Sequence, residues 1–204
     1  MWDISQIATN ITTQFIILPS LKKSKMTFEQ ASELLNQWTK SPALLRHAHT
    51  VSHVMKMYAK KFGENQELWS VTGLLHDADY ESHPDQHPQL IVNHLNQIGE
   101  TDVAYAISAH YTKWGNPAKS LLDKALLACD ELTGFIVACS QVRPDGFNGM
   151  KAKSVIKKLK QKSFAAKVDR EEIRMGTELL GIPLNEHIDF IVQALQQYHT
   201  PVDD

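Results

Sequence analysis

Leu74-Leu75-His76-Asp77-Ala78-Asp79-Tyr80-Glu81 places an imidazole and a carboxylate side by side at the end of an apolar run. The run is compatible with a helix, so His76 and Asp77 are expected at a helix end where one metal ion could contact both. Asp79 and Glu81 follow in a polar loop. They either hydrogen-bond metal-binding histidines or cap the helix end, and the sequence leaves both interpretations open.

The composition bounds the class of protein. The chain has 204 residues, enough for one domain with a continuous core, and its 21 basic and 23 acidic residues nearly cancel. Net charge therefore does not suggest a nucleic-acid partner. The apolar run at residues 15–18 is too short for a membrane span, and no basic residue precedes it as in a signal peptide. We expect no membrane partner and leave a homo-oligomer open.

The two cysteines, Cys129 and Cys139, lie ten residues apart in one apolar segment. A continuous helix would separate them by roughly 15 Å at about 1.5 Å per residue. This distance excludes a disulfide between them. Both are predicted to be buried thiols in a reducing compartment, which favours a cytoplasmic location.

Apolar residues recur with a helical period along the chain from Thr27 onward. Helices are predicted from residue 27 and over residues 44–62, 66–77, 87–98, 102–111, 120–142, 151–162, 169–180 and 185–198. No alternating strand pattern or internal repeat is found. The sequence predicts an all-α domain over residues 26–204, with residues 1–25 as an N-terminal extension or peripheral helix.

Six polar residues fall on inward faces or ends of these predicted helices. They are His47, His76, Asp77, His87, His110 and Asp130. Imidazole and carboxylate groups suit divalent transition metals or a hard cation such as magnesium, and facing helices of a bundle commonly build such sites. The absence of cysteine from the set argues against a structural zinc finger. Coincidental burial is disfavoured for His47, His76, Asp77 and Asp130, because each buried polar group without a partner costs roughly 1–3 kcal/mol.

The other histidines receive simpler interpretations. His94 is predicted to pack at the edge of the core. The rest are predicted to face solvent, namely His49, His53, His83, His187 and His199. His49 and His53 share one helix face with lysines, opposite His47.

A basic segment at residues 151–162 has two interpretations. It is either an ordinary solvated helix face or a source of positive charge for a phosphate near the metal. In the second case the candidate substrate-binding residues are Lys158 and Lys162, one turn apart, together with Arg143 or Arg170.

Three stretches carry a resemblance to a known family. They are His47-Ala48-His49-Thr50-Val51-Ser52-His53-Val54-Met55, Gly73-Leu74-Leu75-His76-Asp77-Ala78-Asp79-Tyr80-Glu81 and Ala128-Cys129-Asp130-Glu131-Leu132-Thr133-Gly134. Their order resembles the HD-domain superfamily of metal-dependent phosphohydrolases, and particularly its uncharacterised bacterial hydrolases, over roughly residues 27–185. The resemblance implies an HD-domain helical bundle with the metal site between central helices. It implies four metal ligands, His47, His76, Asp77 and Asp130.

The resemblance also raises the question of a second ion. In dinuclear HD enzymes two further histidines join the ligands and the aspartate of the His-Asp pair bridges the ions; His87 and His110 occupy matching positions here. Structural or substrate-contacting roles for these two remain open. Tyr111 replaces the second of the paired histidines in HD phosphodiesterases, and their Gly-Tyr-Pro segment is absent, so cleavage of a cyclic dinucleotide is not favoured.

The resemblance implies a phosphohydrolase that acts on a nucleotide or other small phosphoester. Water would be activated by one or two divalent ions (Mn, Fe, Ni, Mg or Zn), with Asp77 and Asp130 as catalytic residues. Two alternatives stay open. The same ligand order resembles HD-type di-iron oxygenases, and a non-catalytic, metal-stabilised nucleotide-binding module would carry the same residues.

Overall fold

The computed structural model describes residues 25–198 of the chain. Within these residues it has nine α-helices, two short 3₁₀ turns and no strand, so the predicted all-α class is confirmed. The helices are α1 (Phe28–Trp38), α2 (Pro42–Phe62), α3 (Gln66–Leu75), α4 (Gln89–Gln97), α5 (Thr101–His110), α6 (Leu121–Gln141), α7 (Ala152–Leu159), α8 (Arg170–Leu180) and α9 (Leu184–Gln196). Nearly all of the predicted N-terminal extension lies outside the described residues.

Side-chain caps fix several helix starts where the sequence predicts them. Thr27 and Gln30 form a reciprocal capping box at the start of α1, and Ser120 and Asp123 form another at the start of α6. The carboxylate of Asp169 accepts hydrogen bonds from two backbone N–H groups in the first turn of α8. Each cap satisfies N–H groups that have no partner within the helix.

Two long helices, α2 and α6, form the centre of the bundle. Helix α2 packs against α3, α6 and α9, and α6 packs against α5 and α8. Two of these contacts are backbone to backbone at glycine. A Cβ on Gly73 of α3 would lie 2.9 Å from the Cα of Ser52 in α2, and a Cβ on Gly176 of α8 would lie 2.6 Å from the Cα of Ala128 in α6. Glycine at these two positions therefore lets the paired helices approach to backbone contact.

A continuous hydrophobic core joins all nine helices. Its largest fully buried side chains include Trp69, Tyr58, Phe135, Leu35, Met55, Leu74, Leu75, Ile91, Leu95, Ile107, Leu126 and Leu132. The two cysteines are buried and unbonded, as predicted. None of the helices in residues 25–198 combines the length and apolar composition that a membrane span requires.

Some helix ends differ from the prediction. Helix α3 ends at Leu75, so His76 is its C-cap and Asp77 lies in the following turn. Ile98, the last residue of the helix predicted over residues 87–98, is 44% exposed. It lies beyond the last residue of α4, and the left-handed backbone of Gly99 at φ +85° turns the chain there.

The solvent-facing prediction for His187 is wrong. Its side chain is fully buried, with Nε2 donating to the Ala128 carbonyl at 2.9 Å and Nδ1 accepting from the Tyr58 hydroxyl at 2.5 Å. Burial lowers the pKa of His187 to about 4. The neutral imidazole thus joins α9 to both central helices.

The other histidines agree with their predictions only in part. His83 is exposed, and His94 is half-buried with its ring edge-on to Trp38. His49 and His53 are half-buried rather than solvent-facing, because the neighbouring helices partly cover that face; His53 hydrogen-bonds the Ala194 carbonyl at 3.1 Å. His199 lies outside the described residues.

Candidate metal centre

Five structural elements bring the six predicted metal ligands to one place. His47 comes from α2, His76 and Asp77 from the end of α3, and Asp130 from α6. His87 lies just before α4, and His110 is the last residue of α5. The polar atoms of these six side chains form one contiguous cluster, which we call the candidate metal centre.

One half of the centre contains His47, His76, Asp77 and Asp130. The Oδ1 atom of Asp130 lies 2.9 Å from the Nε2 of His47 and 3.2 Å from the Nε2 of His76. The two Nε2 atoms lie 3.2 Å apart. The Oδ2 atom of Asp77 lies 3.4 Å from the Nε2 of His76. These four ligand atoms are close enough together for a single metal ion to contact all of them.

The other half of the centre uses the second oxygen of Asp77. Its Oδ1 atom lies 3.3 Å from the Nε2 of His87 and 3.7 Å from the Nε2 of His110. Ligand atoms of these three residues all lie within 4.8 Å of one another, as do those of His47, His76 and Asp77. Asp77 therefore belongs to both halves, with one oxygen facing each.

Backbone hydrogen bonds orient two of the imidazoles. The Nδ1 atom of His76 donates to the Gly73 carbonyl at 2.8 Å, and the Nδ1 atom of His110 donates to the Ile107 carbonyl at 2.5 Å. A carbonyl oxygen only accepts, so Nδ1 carries a proton in both rings, and Nε2, which faces the centre, is the nitrogen left to bind a metal. This is the tautomer that an Nε2-bound metal requires.

His87 is oriented by a side chain instead. Its Nδ1 atom lies 2.7 Å from Oδ1 of Asp79, a fully buried carboxylate. The Oδ2 atom of Asp79 accepts the backbone N–H groups of Leu90 and Ile91, each at 3.0 Å. Asp79 thus both hydrogen-bonds a histidine of the centre and caps a helix, the two roles that the sequence left open. The helix that it caps is α4, and not α3, which precedes it.

Glu81 takes no part in the centre. Its exposed carboxylate accepts the backbone N–H groups of Lys40 and Ser41 at 2.6 and 2.9 Å, immediately before α2 begins. These hydrogen bonds lower the pKa of Glu81. Of the two roles left open for Glu81, its contacts support helix capping. The helix that it caps is α2, and not α3, which precedes it.

The electrostatics of the centre favour the binding of a positive charge. Burial alone would lower the pKa of His76, but the carboxylates of Asp77 and Asp130 outweigh burial and hold that pKa well above its usual value. Burial would raise the pKa values of both carboxyls, and the neighbouring His76 and other imidazoles hold them well below the usual range instead. Two carboxylates and four imidazoles facing one another are a donor set that fits a divalent cation.

Three residues beside the centre were not identified from the sequence. The rings of Tyr80 and Tyr111 lie edge-on to His87 with centroids 5.5 and 5.4 Å away, and Tyr80 is 47% exposed. Burial, together with the adjacent Asp130 carboxylate, raises the pKa of Glu131 to about 8. Each of the three lies within three residues of a candidate ligand along the chain, which was the available signal.

Three of the four predicted substrate-binding residues make local contacts, and the fourth faces solvent. The guanidinium of Arg143 donates to the carbonyls of Gly146 and Asn148, each at 3.0 Å. Arg170 donates to three carbonyls of the preceding loop, and Lys158 lies over the Phe164 ring. Lys162 is exposed beyond the end of α7. No hydrogen bond or ion pair joins these four to the centre within residues 25–198, and their substrate-binding role stays a prediction.

The fold and the centre together define an all-helical protein with a candidate divalent-metal site between its central helices. The family model described as "HD domain" matches residues 44–134, which run from α2 into α6 and include all six candidate ligands. The match spans the three motifs that carry the resemblance to the HD-domain superfamily, so that prediction is confirmed over this segment. The HD domain suggests a metal-dependent function of the hydrolase type. No curated protein and no solved structure matches the chain.

Proposed function

We propose that this protein is a metal-dependent phosphohydrolase with a two-ion centre. The observation that carries the proposal is the carboxylate of Asp77, whose Oδ2 faces His76 at 3.4 Å and whose Oδ1 faces His87 at 3.3 Å. A shared carboxylate between two sets of imidazoles suits a pair of ions a few ångströms apart. Such pairs are used in enzymes that displace a leaving group at phosphorus.

Each residue of the centre has a proposed task. His47, His76 and Asp130 would hold one ion, His87 and His110 the other, and Asp77 would contact both. Bound metal would supply an activated water and polarise the phosphoryl oxygen. Asp77 and Asp130 would also orient the attacking water, because their carboxylate oxygens lie where the imidazoles converge.

The proposed substrate is a nucleotide or another small phosphoester. The rings of Tyr80, which is partly exposed, and of Tyr111 both lie beside His87. The ammonium of Lys113 lies 5.4 Å from the centroid of the Tyr111 ring. Aromatic rings suit stacking with a nucleobase, and a lysine suits a phosphate. Further charge could come from the predicted substrate-binding residues if substrate binding rearranges their side chains.

A di-iron oxygenase of the HD type is a second candidate. The same shared carboxylate and the same four imidazoles suit two iron ions. Metal chemistry separates the two functions. Anaerobic turnover of a phosphoester with added manganese, nickel or magnesium supports hydrolysis, whereas bound iron with an oxygen-dependent spectral change supports oxygenation. Nucleotide binding without turnover across the metal panel would support a non-catalytic binding module.

The test of the proposal combines metal content with activity. Protein purified without chelator is expected to hold two ions per chain and to hydrolyse small phosphoesters from a panel. Asp77→Ala is expected to lose both metal and activity, since Asp77 contacts both halves of the centre. Asp85→Ala is the matched control, because Asp85 is an exposed aspartate in the nearby turn. Full activity and unchanged metal content in Asp77→Ala would refute the assignment.

A further inference from the structure

We propose that Asp79 is a positioning residue that makes His87 competent to bind metal by holding its proton on Nδ1. The inference rests on the proposed two-ion centre and concerns only its second half. Asp79 does not reach the centre itself. Its buried carboxylate contacts the far side of the His87 ring at 2.7 Å, while the Nε2 of His87 faces Asp77.

The need for Asp79 follows from where His87 lies in the chain. His76 and His110 end their helices and donate from Nδ1 to carbonyls three residues earlier in the same helix. His87 precedes α4, so no earlier turn of that helix can offer it a carbonyl. Its Nδ1 partner must come from elsewhere, and the structure provides the carboxylate of Asp79, eight residues earlier.

The hydrogen bonds of Asp79 fix which tautomer His87 adopts. The backbone N–H groups of Leu90 and Ile91 are obligatory donors, and both bond to Oδ2 at 3.0 Å. Oδ1 remains as the acceptor for the Nδ1–H of His87. With its proton on Nδ1, the ring presents the Nε2 lone pair to the centre. A proton on Nε2 would block that position.

The change Asp79→Asn separates this role from helix capping. An asparagine carbonyl oxygen can still accept from the α4 backbone, but its NH₂ group then faces the Nδ1 of His87. A donor there requires an accepting Nδ1, which moves the ring proton to Nε2. The opposite amide orientation would set NH₂ against two backbone N–H donors and leave them unsatisfied in a buried site.

The primary experiment reads the tautomer directly in metal-free protein. Long-range ¹H–¹⁵N spectra of ¹⁵N-histidine protein in chelator are expected to show His87 protonated on Nδ1 in the wild type and on Nε2 in Asp79→Asn. A wild-type His87 protonated on Nε2 would overturn the inference, whether or not the variant folds. Because no metal is present, this readout decides the inference even if no phosphoester is ever hydrolysed.

A titration with Mn²⁺ tests the consequence for metal binding. Replacing a residue that hydrogen-bonds a metal ligand typically costs 10–100-fold in metal affinity. We therefore expect Asp79→Asn to weaken the second Mn²⁺ by roughly 10–100-fold and to leave the first, held by His47, His76 and Asp130, nearly unchanged. Asp85→Asn, an exposed aspartate in the same loop, is the matched control and should bind both ions normally. Unchanged affinity for both ions in Asp79→Asn would overturn the inference.

Discussion

Stability between pH 6.5 and 4 is expected to fall because of His187. The imidazole is fully buried, and its Nε2 donates to the Ala128 carbonyl while its Nδ1 accepts from Tyr58. Burial lowers its pKa to about 4 in the folded protein, whereas an unfolded chain has a histidine pKa near 6.5. Between these values the unfolded chain binds more protons. The stability contributed by neutral His187 is therefore complete above pH 6.5 and is lost as the pH falls.

The size of the effect follows from the two pKa values. They differ by about 2.5 pH units, and each unit corresponds to about 1.36 kcal/mol. The free energy of unfolding should therefore lose about 3 kcal/mol from this one group between pH 7 and pH 4. Such a loss is a large part of the roughly 5–15 kcal/mol that stabilises an ordinary domain.

Urea unfolding of wild type and His187→Gln in chelator tests this prediction. The other titrating groups are common to both proteins, so the difference between them isolates His187. Glutamine can still donate to the Ala128 carbonyl and accept from Tyr58, but it does not titrate. The stability advantage of the wild type should shrink by about 3 kcal/mol from pH 7 to pH 4. His83→Gln, at an exposed position, should give a pH-independent difference. A constant difference for His187→Gln would refute the reasoning.

Three further changes test the packing and the centre. Gly176→Ala should lower the free energy of unfolding by about 1–3 kcal/mol, because the new Cβ would meet the α6 backbone at 2.6 Å. Gly134→Ala should be neutral or stabilise the protein by up to about 1 kcal/mol, because the atoms nearest to the new Cβ, in the His47 ring, lie at an ordinary contact distance of 3.5 Å. Urea unfolding measures the effect of both glycine substitutions. Equal effects would contradict the packing argument. His87→Ala should reduce bound metal from two ions to one by elemental analysis, and loss of both ions would contradict the division into halves.

Much of the fold and of the candidate site could be predicted because each signal was local. Capping residues such as Thr27 and Ser120 fix helix starts through contacts three residues away. Asp130 stood out because a carboxylate in an apolar helix needs a partner. The burial of His187 was missed, although Ile191 lies one turn later on the buried face of the same helix. A histidine at the edge of an apolar stripe is buried only if a neighbouring helix supplies a hydrogen-bond partner, and here Tyr58 lies 129 residues earlier.

The two halves of the centre differ in what holds their ligands, and this difference bears on how many ions bind. His47, His76 and Asp130 lie in or at the end of three mutually packed helices, and Gly73 brings two of these helices to backbone contact. The orientation of His87 depends instead on a loop carboxylate eight residues away. Rigid helices hold ligands in place before an ion arrives, so the first half should bind metal more tightly than the second. An occupancy between one and two ions per chain would then reflect weaker binding at His87 and His110.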